Sequence, residues 1–402
     1  MTVAGTVSLR SVAPTVFLPS MLYGLGQGAI APVIALTALD LGAGVGGASV
    51  VVGAVGLGHL LADIPAGQLT ARIGERRAML WATLLVSAAL VVCVLAPAVW
   101  VLGVAVGLTG AATAVWQLAR QAYLTEAVSP DMRARALSTL GGVQRIGTFA
   151  GPFLGAGAMA LGGTDAAYGV HIAAAAAGAL LLLFLPDVPG HGAGTSSAKV
   201  GLADVVRSHR KVLLTVGTAA SFVGVVRAAR LAVIPIWGQS IGLDASTTAL
   251  IFGLSSAVDM LLFYPAGKVM DRYGRMWVAV PAMLLMGLGL IAVPFTSGVV
   301  TFALAAALMG LGNGMSSGLV MVLGADASPS AGRASFLGVF RLLADLGLGA
   351  GPLLLGGVAA VAGLASGVWF VGGVGLLGAV AMWRWVPRPD RAPEPRVEQP
   401  VP

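Results

Sequence analysis

Residues 65–74 read PAGQLTARIG, and residues 265–274 read PAGKVMDRYG. The same 200-residue shift lays Gly110 on Gly310, Arg133 on Arg333, and Gly147, Gly151 and Pro152 on Gly347, Gly351 and Pro352. The register therefore holds from Pro65 to Pro152 without a net insertion. A repeat of this length in an apolar chain predicts a duplicated membrane unit: two helical bundles around a shared axis, able to expose one site to alternate sides of a bilayer.

Composition supports that reading. Of 402 residues, 57% are hydrophobic and 10% charged, against about 25% charged in a soluble domain. A water-soluble globule is excluded. The single cysteine, Cys93, lies inside an apolar run and rules out a disulfide framework, and the scarcity of His and Cys argues against a structural metal site, so no cofactor is expected.

Runs able to cross the hydrocarbon core fall near 12–38, 45–69, 77–96, 99–125, 136–161, 168–186, 212–240, 246–269, 277–295, 299–325, 335–361 and 364–386, which makes twelve spans, six per copy. The first lacks a basic leader and cleavage site, and reads as a retained span. Arg and Lys fall on one set of connections (Arg72, Arg76, Arg77, Arg133, Arg135, Lys199, Arg207, Arg210, Lys211, Arg272, Arg275, Arg333) and are missing from the other. The positive-inside rule then puts both termini in the cytoplasm and accounts for the net charge of +7 without a nucleic-acid partner. The expected domains are a six-helix bundle at 1–186, a linker at 187–211, a second bundle at 212–387 and a disordered tail at 388–402. Within the linker, the piece from Gly201 to Lys211 reads as solvated chain, with a short surface helix as the alternative.

The loop signatures GQLTARIGERR from Gly67 and GKVMDRYGRMW from Gly267 resemble the cytoplasmic loop motif of the major facilitator superfamily. The resemblance implies an all-α fold of twelve transmembrane helices in two pseudo-symmetric bundles. It also implies a cytoplasmic gate at Gly67, Arg72, Gly74, Gly267, Asp271, Arg272, Gly274 and Arg275. In the first copy Ala71 and Glu75 replace the acidic and second arginine positions. The segment GTFAGPFLGAG from Gly147 resembles the glycine and proline signature in span five of the superfamily's drug:proton antiporters, and marks Gly151, Pro152, Gly351 and Pro352 as helix-kink positions. The alternative is a structural kink without directional meaning. The span-four arginine common in those antiporters is absent ahead of Gly107.

In that fold, spans 1, 4, 7 and 10 line the central cavity. Thr109, Thr113, Trp116, Gln117 and Arg120 share one face of span four. Span ten offers Asn313, Ser316 and Ser317, span seven Arg227, Arg230 and Trp237, and span one Tyr23 and Gln27. Arginines at mid-membrane cost about 2.5–3.5 kcal/mol each on insertion scales, so they must face water, an acid or an anion. The remaining intramembrane charges are His59, Asp63, Arg145, Asp259, Arg341 and Asp345, either proton carriers or buried pairs, with Arg145 expected to pair with Asp345 or Arg341. Glu126 and Asp326 are expected to pair with the basic loops.

These readings point to a secondary active transporter of the bacterial inner membrane. The leading expectation is proton-coupled efflux of small organic or amphipathic molecules by a functional monomer. The alternative is an uptake or exchange carrier for an anionic metabolite. Neither a GxxxxGK[ST] loop nor a nucleophile elbow is present, which argues against an enzyme.

Overall fold

The protein is described by a computed structural model over residues 16–129, 132–184, 202–329 and 333–386. The described residues contain no strand. Their helices are α1 (Leu18–Ile30), α2 (Val33–Asp40), α3 (Val45–Ile73), α4 (Glu75–Val94), α5 (Val99–Ala127), α6 (Arg133–Gly162), α7 (Thr164–Leu183), α8 (Leu202–Val212), α9 (Thr218–Ser240), α10 (Ala245–Tyr273), α11 (Met276–Ala292), α12 (Val299–Met315), α13 (Leu319–Ala327), α14 (Arg333–Ala362) and α15 (Leu364–Trp385). Eleven stretches are long and apolar enough to cross a membrane. The twelfth crossing is α6, whose glycines and Arg145 lower its hydropathy. It matches its repeat mate α14 at 30 residues and packs against α1, α7 and α10.

The repeat survives as geometry. Helix α3 ends at Ile73 and α10 at Tyr273, each stopped by a glycine at positive φ, Gly74 at 84° and Gly274 at 99°. Only glycine adopts that backbone cheaply, so the two loop signatures turn at the same point. Elsewhere glycine lets backbones touch. A Cβ at Gly147 would fall on the Met21 carbonyl oxygen, and one at Gly347 on that of Ser221, its repeat equivalent. In lipid, where no hydrophobic force drives helices together, such contacts supply the packing.

Two breaks interrupt the symmetry. The first span bends between α1 and α2 at Ala31 and Pro32, where α9 is continuous. Span ten breaks between α12 and α13 at Ser316–Gly318, with Gly318 left-handed at φ 77°. Its counterpart is Leu118, inside an unbroken α5, because an L side chain there favours the helix.

A third difference sits at the start of α10. Asp244 caps it by accepting from the Thr247 hydroxyl at 2.6 Å and the Thr247 amide at 2.9 Å, where α3 has Gly44. These bonds, that of the hydroxyl first, hold the Asp244 carboxyl below the usual carboxylate range. A depressed carboxyl stabilises above its unfolded-state pKa and loses that contribution as pH falls through its folded value. Asp244→Ala should therefore lower thermal stability at neutral pH by about 1 kcal/mol, with a smaller deficit in acid. Thermal melts at two pH values measure this.

Two bundles result, α1–α7 and α9–α15, joined along two seams where α6 meets α10 and α3 meets α14. The seams are closely packed on the side away from the signature loops. There Ser246 donates to the Ala156 carbonyl at 3.1 Å, Phe153 covers Gly253, and Gly46 and Ser49 pack on Gly356. Helix α2 closes on α9 at the same end. The segment after the first bundle differs from the solvated linker expected, because 202–212 is the helix α8, with His209, Arg210 and Lys211 in its last turn. A short amphipathic stretch leading into an apolar span can lie along the interface with its basic face in water. Residues 187–201 and 388–402 lie outside the described residues.

Candidate functional site

Mid-span polar residues gather in two networks, one within the first bundle and one in the second that Arg145 of the first joins. In the first, Tyr23 of α1 stacks on Trp116 of α5 with ring centroids 4.1 Å apart, and its hydroxyl lies 2.9 Å from Thr113 Oγ1. Gln27 Nε2 donates to the same Thr113 oxygen at 3.2 Å, Gln144 Nε2 donates to Gln27 Oε1 at 3.5 Å, and Arg120 Nη2 donates to Gln144 Oε1 at 2.8 Å. The Arg120 guanidinium also lies over the Trp116 ring, 4.8 Å from its centroid. Arg120 is only 7% exposed, and its Nε and Nη1 have no partner.

The second network is built where α12 breaks. At the break both the Ser316 and Ser317 hydroxyls donate back to the Asn313 carbonyl and accept from arginines. Arg227 donates to Ser316 Oγ from Nη2 at 3.0 Å and Nε at 3.3 Å, and to the Asn313 carbonyl at 3.4 Å. Arg145, reaching across from α6, donates to Ser317 Oγ at 2.6 Å and lies over the Phe263 ring at 4.3 Å. Its Nη1 is 3.8 Å from Asp259 Oδ1, an ion pair longer than a hydrogen bond, and Asn313 Nδ2 donates to Asp259 Oδ2. Arg230, 5% exposed, donates to Ser255 Oγ at 2.7 Å and keeps an unpartnered Nε.

Charge does not balance here. Arg120, Arg145, Arg227 and Arg230 bring four guanidinium groups, and among the described residues Asp259 is the one carboxylate paired with any of them. Serine, amide and carbonyl oxygens take the rest. Neutral acceptors satisfy geometry without cancelling charge, so the centre of the protein is a region of positive potential in a low-dielectric setting.

Several expected residues stand elsewhere. Trp237 closes the far end of α9, donating to Thr296 Oγ1 at 3.1 Å, and is no part of the central networks. Trp116 is 1% exposed, a packed layer beneath Tyr23. Gln117 is half-buried outside the network. Arg145 does not meet Asp345 or Arg341. Residues related by a two-fold lie on opposite sides of the axis, so Arg145 falls on the α6/α10 seam and Asp345 on the α3/α14 seam, where Arg341 Nε reaches it at 3.4 Å. A latch forms between Arg275 and Asp326, Nε to Oδ2 at 2.8 Å, while Arg272 lies over Tyr273. In the first copy Glu75 and Glu126 stand at the equivalent positions, both acidic, so that pair cannot form, and Arg76 instead donates to the Leu182 and Leu183 carbonyls at the end of α7. Pro152 and Pro352 sit inside unbroken α6 and α14. Gln144, which links Arg120 to α1, and Ser255, which holds Arg230, went unseen because neither lies on a span expected to line the cavity.

An all-helical membrane protein of two repeat-related bundles, with polar networks at the centre, is a transporter that binds a small-molecule substrate within a lipid bilayer. The chain belongs to the Major Facilitator Superfamily, which matches residues 16–258 and again 216–401. Among solved structures it is similar to a D-xylose-proton symporter (TM-score 0.74, 16% identity, 95% of this chain and 99% of that one). A variant of the nucleoside transporter NupG matches at TM-score 0.74 and 14% identity, over 93% of this chain and 99% of that one. A POT family transporter in complex with a thioalcohol-conjugated peptide matches at TM-score 0.75 and 12% identity, over 93% and 95%. At these identities the likeness shows the fold alone. No curated protein matches the sequence.

Proposed function

We propose that the protein is a proton-coupled secondary transporter that carries a small organic anion through the central networks by alternating access. One observation carries this reading: among the described residues Arg145, Arg227 and Arg230 share a single paired carboxylate, Asp259, a fourth buried guanidinium, Arg120, lies in the other network, and Arg120 and Arg230 keep buried N–H groups unpartnered. A carboxylate or phosphate on the solute would cancel part of that charge and accept from such donors. By the positive-inside rule the basic loops support a signature face and both termini in the cytoplasm, and the proposed setting is a bacterial inner membrane with a single chain as the working unit. The seams packed tight at the opposite end then correspond to a carrier closed to the outside.

Efflux of amphipathic molecules, by likeness to the drug:proton antiporters, is the second reading, and the span-five glycine and proline segment favours it. That segment has the same packing duty in both copies. A Cβ at Gly151 would fall on the Leu25 carbonyl and one at Gly351 on the Val225 carbonyl, so its glycines seat α6 on α1 and α14 on α9 alike. Such a duty leaves direction to the gradients.

Proteoliposomes under an imposed pH gradient test the proposal with carboxylates, organic phosphates and lipophilic cations. Anions should move, and Arg227→Gln should weaken their binding roughly ten- to a hundredfold, the value of hydrogen bonds to a charged group. Movement of cations alone, with Arg227→Gln only broadening the range of solutes, would establish the second reading in its place.

A further inference from the structure

The two seams are related by the repeat, and their charges are exchanged in sign. On the α6/α10 seam, α6 supplies the base Arg145 and α10 the acid Asp259, 3.8 Å apart. The 200-residue shift maps Arg145 onto Asp345 and Asp259 onto His59, so on the α3/α14 seam the acid comes from α14 and the base from α3. The chemistry differs in one respect. A guanidinium is charged at every accessible pH, whereas an imidazole is charged only when protonated. One seam is held by a permanent pair, and the other holds a conditional one.

His59, Asp63 and Asp345 bring one ligand atom each to within 4.8 Å of one another. His59 Nδ1 is 3.5 Å from Asp63 Oδ1, buried, and makes no hydrogen bond. Arg341 reaches Asp345 from the more exposed side. Among the described residues no other charge faces the group. Helix α5 meets this part of α3 with the backbone of Gly107, α4 carries its charges only at the loop end, and Arg227 and Arg230 of α9 are engaged by Ser316 and Ser255. With neutral His59 the cluster holds two carboxylates and one guanidinium, a net charge of −1. One proton makes it neutral, the state a low-dielectric seam favours. One turn away α3 and α14 are in backbone contact, with the ideal Cβ of Gly56 only 2.8 Å from Gly349 N, so a change in repulsion at His59 reaches a close backbone contact of the seam.

We propose that His59, Asp63 and Asp345 form a proton-binding site on the α3/α14 seam. A proton taken up by the imidazole ties α3 to α14, and its loss leaves two carboxylates in apposition and loosens that seam while the α6/α10 seam holds. The proposal rests on the alternating-access reading only in taking seam opening as functional, and its test needs no cargo.

In a Cys93→Ala background, spin labels on Leu69→Cys and Leu342→Cys report the α3/α14 seam, and labels on Val269→Cys and Gly142→Cys report the α6/α10 seam at repeat-related positions. Between about pH 5 and pH 8 the first distance distribution should shift and the second should not. His59→Gln should abolish the shift. Asp345→Asn should also abolish it, since that change removes the α14 carboxylate that the imidazolium ties to α3 and that otherwise faces Asp63. This second variant decides the matter if His59→Gln does not fold. An unchanged pH response in His59→Gln or in Asp345→Asn, or a response that disappears when divalent cations are chelated, would overturn the proposal, the last in favour of a metal ion. Failure of anion transport would leave these distances untouched.

Discussion

Gly110→Val should yield little or no folded protein, the largest single-residue loss expected outside the charged centre. A Cβ at Gly110 on α5 would fall on the carbonyl oxygen of Val55 on α3, and in the other direction a Cβ at Gly58 on α3 would fall on the carbonyl oxygen of Gly107. The crossing is backbone on backbone with glycine serving both helices, so no flexible side chain can yield. Overpacking a core costs about 1–3 kcal/mol where neighbours can give, and here the obstacle is peptide. The repeat makes the same demand at Gly310, whose Cβ would meet the Ser255 carbonyl. Thermal unfolding and size-exclusion profiles in detergent measure the loss. Gly357→Ala is the control: inside α14, with nothing within 4 Å of an added Cβ, it should be neutral or stabilise by about 0.5–1 kcal/mol. A Gly110→Val protein that melts with the wild type would refute close backbone packing as the source of stability.

Much of this architecture is legible in the sequence because duplication writes each constraint twice. Gly74 and Gly274, or Gly147 and Gly347, identify themselves as structural by recurring. What breaks the repeat is harder to read. Gly318 is one of 58 glycines, and only its pairing with Leu118 hints that span ten unwinds where span four does not, yet that break presents Ser316 and Ser317 to the arginines. The partner of Arg145 was misread for a related reason. The shift shows which residues are equivalent, and equivalence across an axis keeps them apart, so Arg145 and Asp345 sit on different seams. Helix α8 was obscured by its polarity, since a short amphipathic helix and a solvated linker have similar composition. The charge excess could be anticipated from Arg227 and Arg230, but its extent depends on Gln144 and Ser255, neutral residues whose role appears only when the bundles are assembled.

Asp259→Asn should be far more damaging than Arg145→Gln, although the two residues form one ion pair. Removing Arg145 leaves Asp259 its Asn313 hydrogen bond and two further arginines nearby. Removing the carboxylate leaves Arg145, Arg227 and Arg230 with neutral oxygens alone. Loss of one partner from a buried pair costs about 3–5 kcal/mol, and the 3.8 Å separation and the 33% exposure of the Arg145 side chain place its own loss below that range. For Asp259→Asn the unbalanced charge is shared by three guanidinium groups, and the full range applies. The double variant should recover part of the loss, with a coupling of about 0.5–3 kcal/mol. A small oxyanion in the buffer should raise the melting temperature of Asp259→Asn more than that of the wild type, because it restores the missing negative charge and stabilises by mass action. Equal melting temperatures for Asp259→Asn and wild type, or an oxyanion that raises both alike, would mean that the arginines are balanced by something other than Asp259, and the anionic cargo would lose its physical basis.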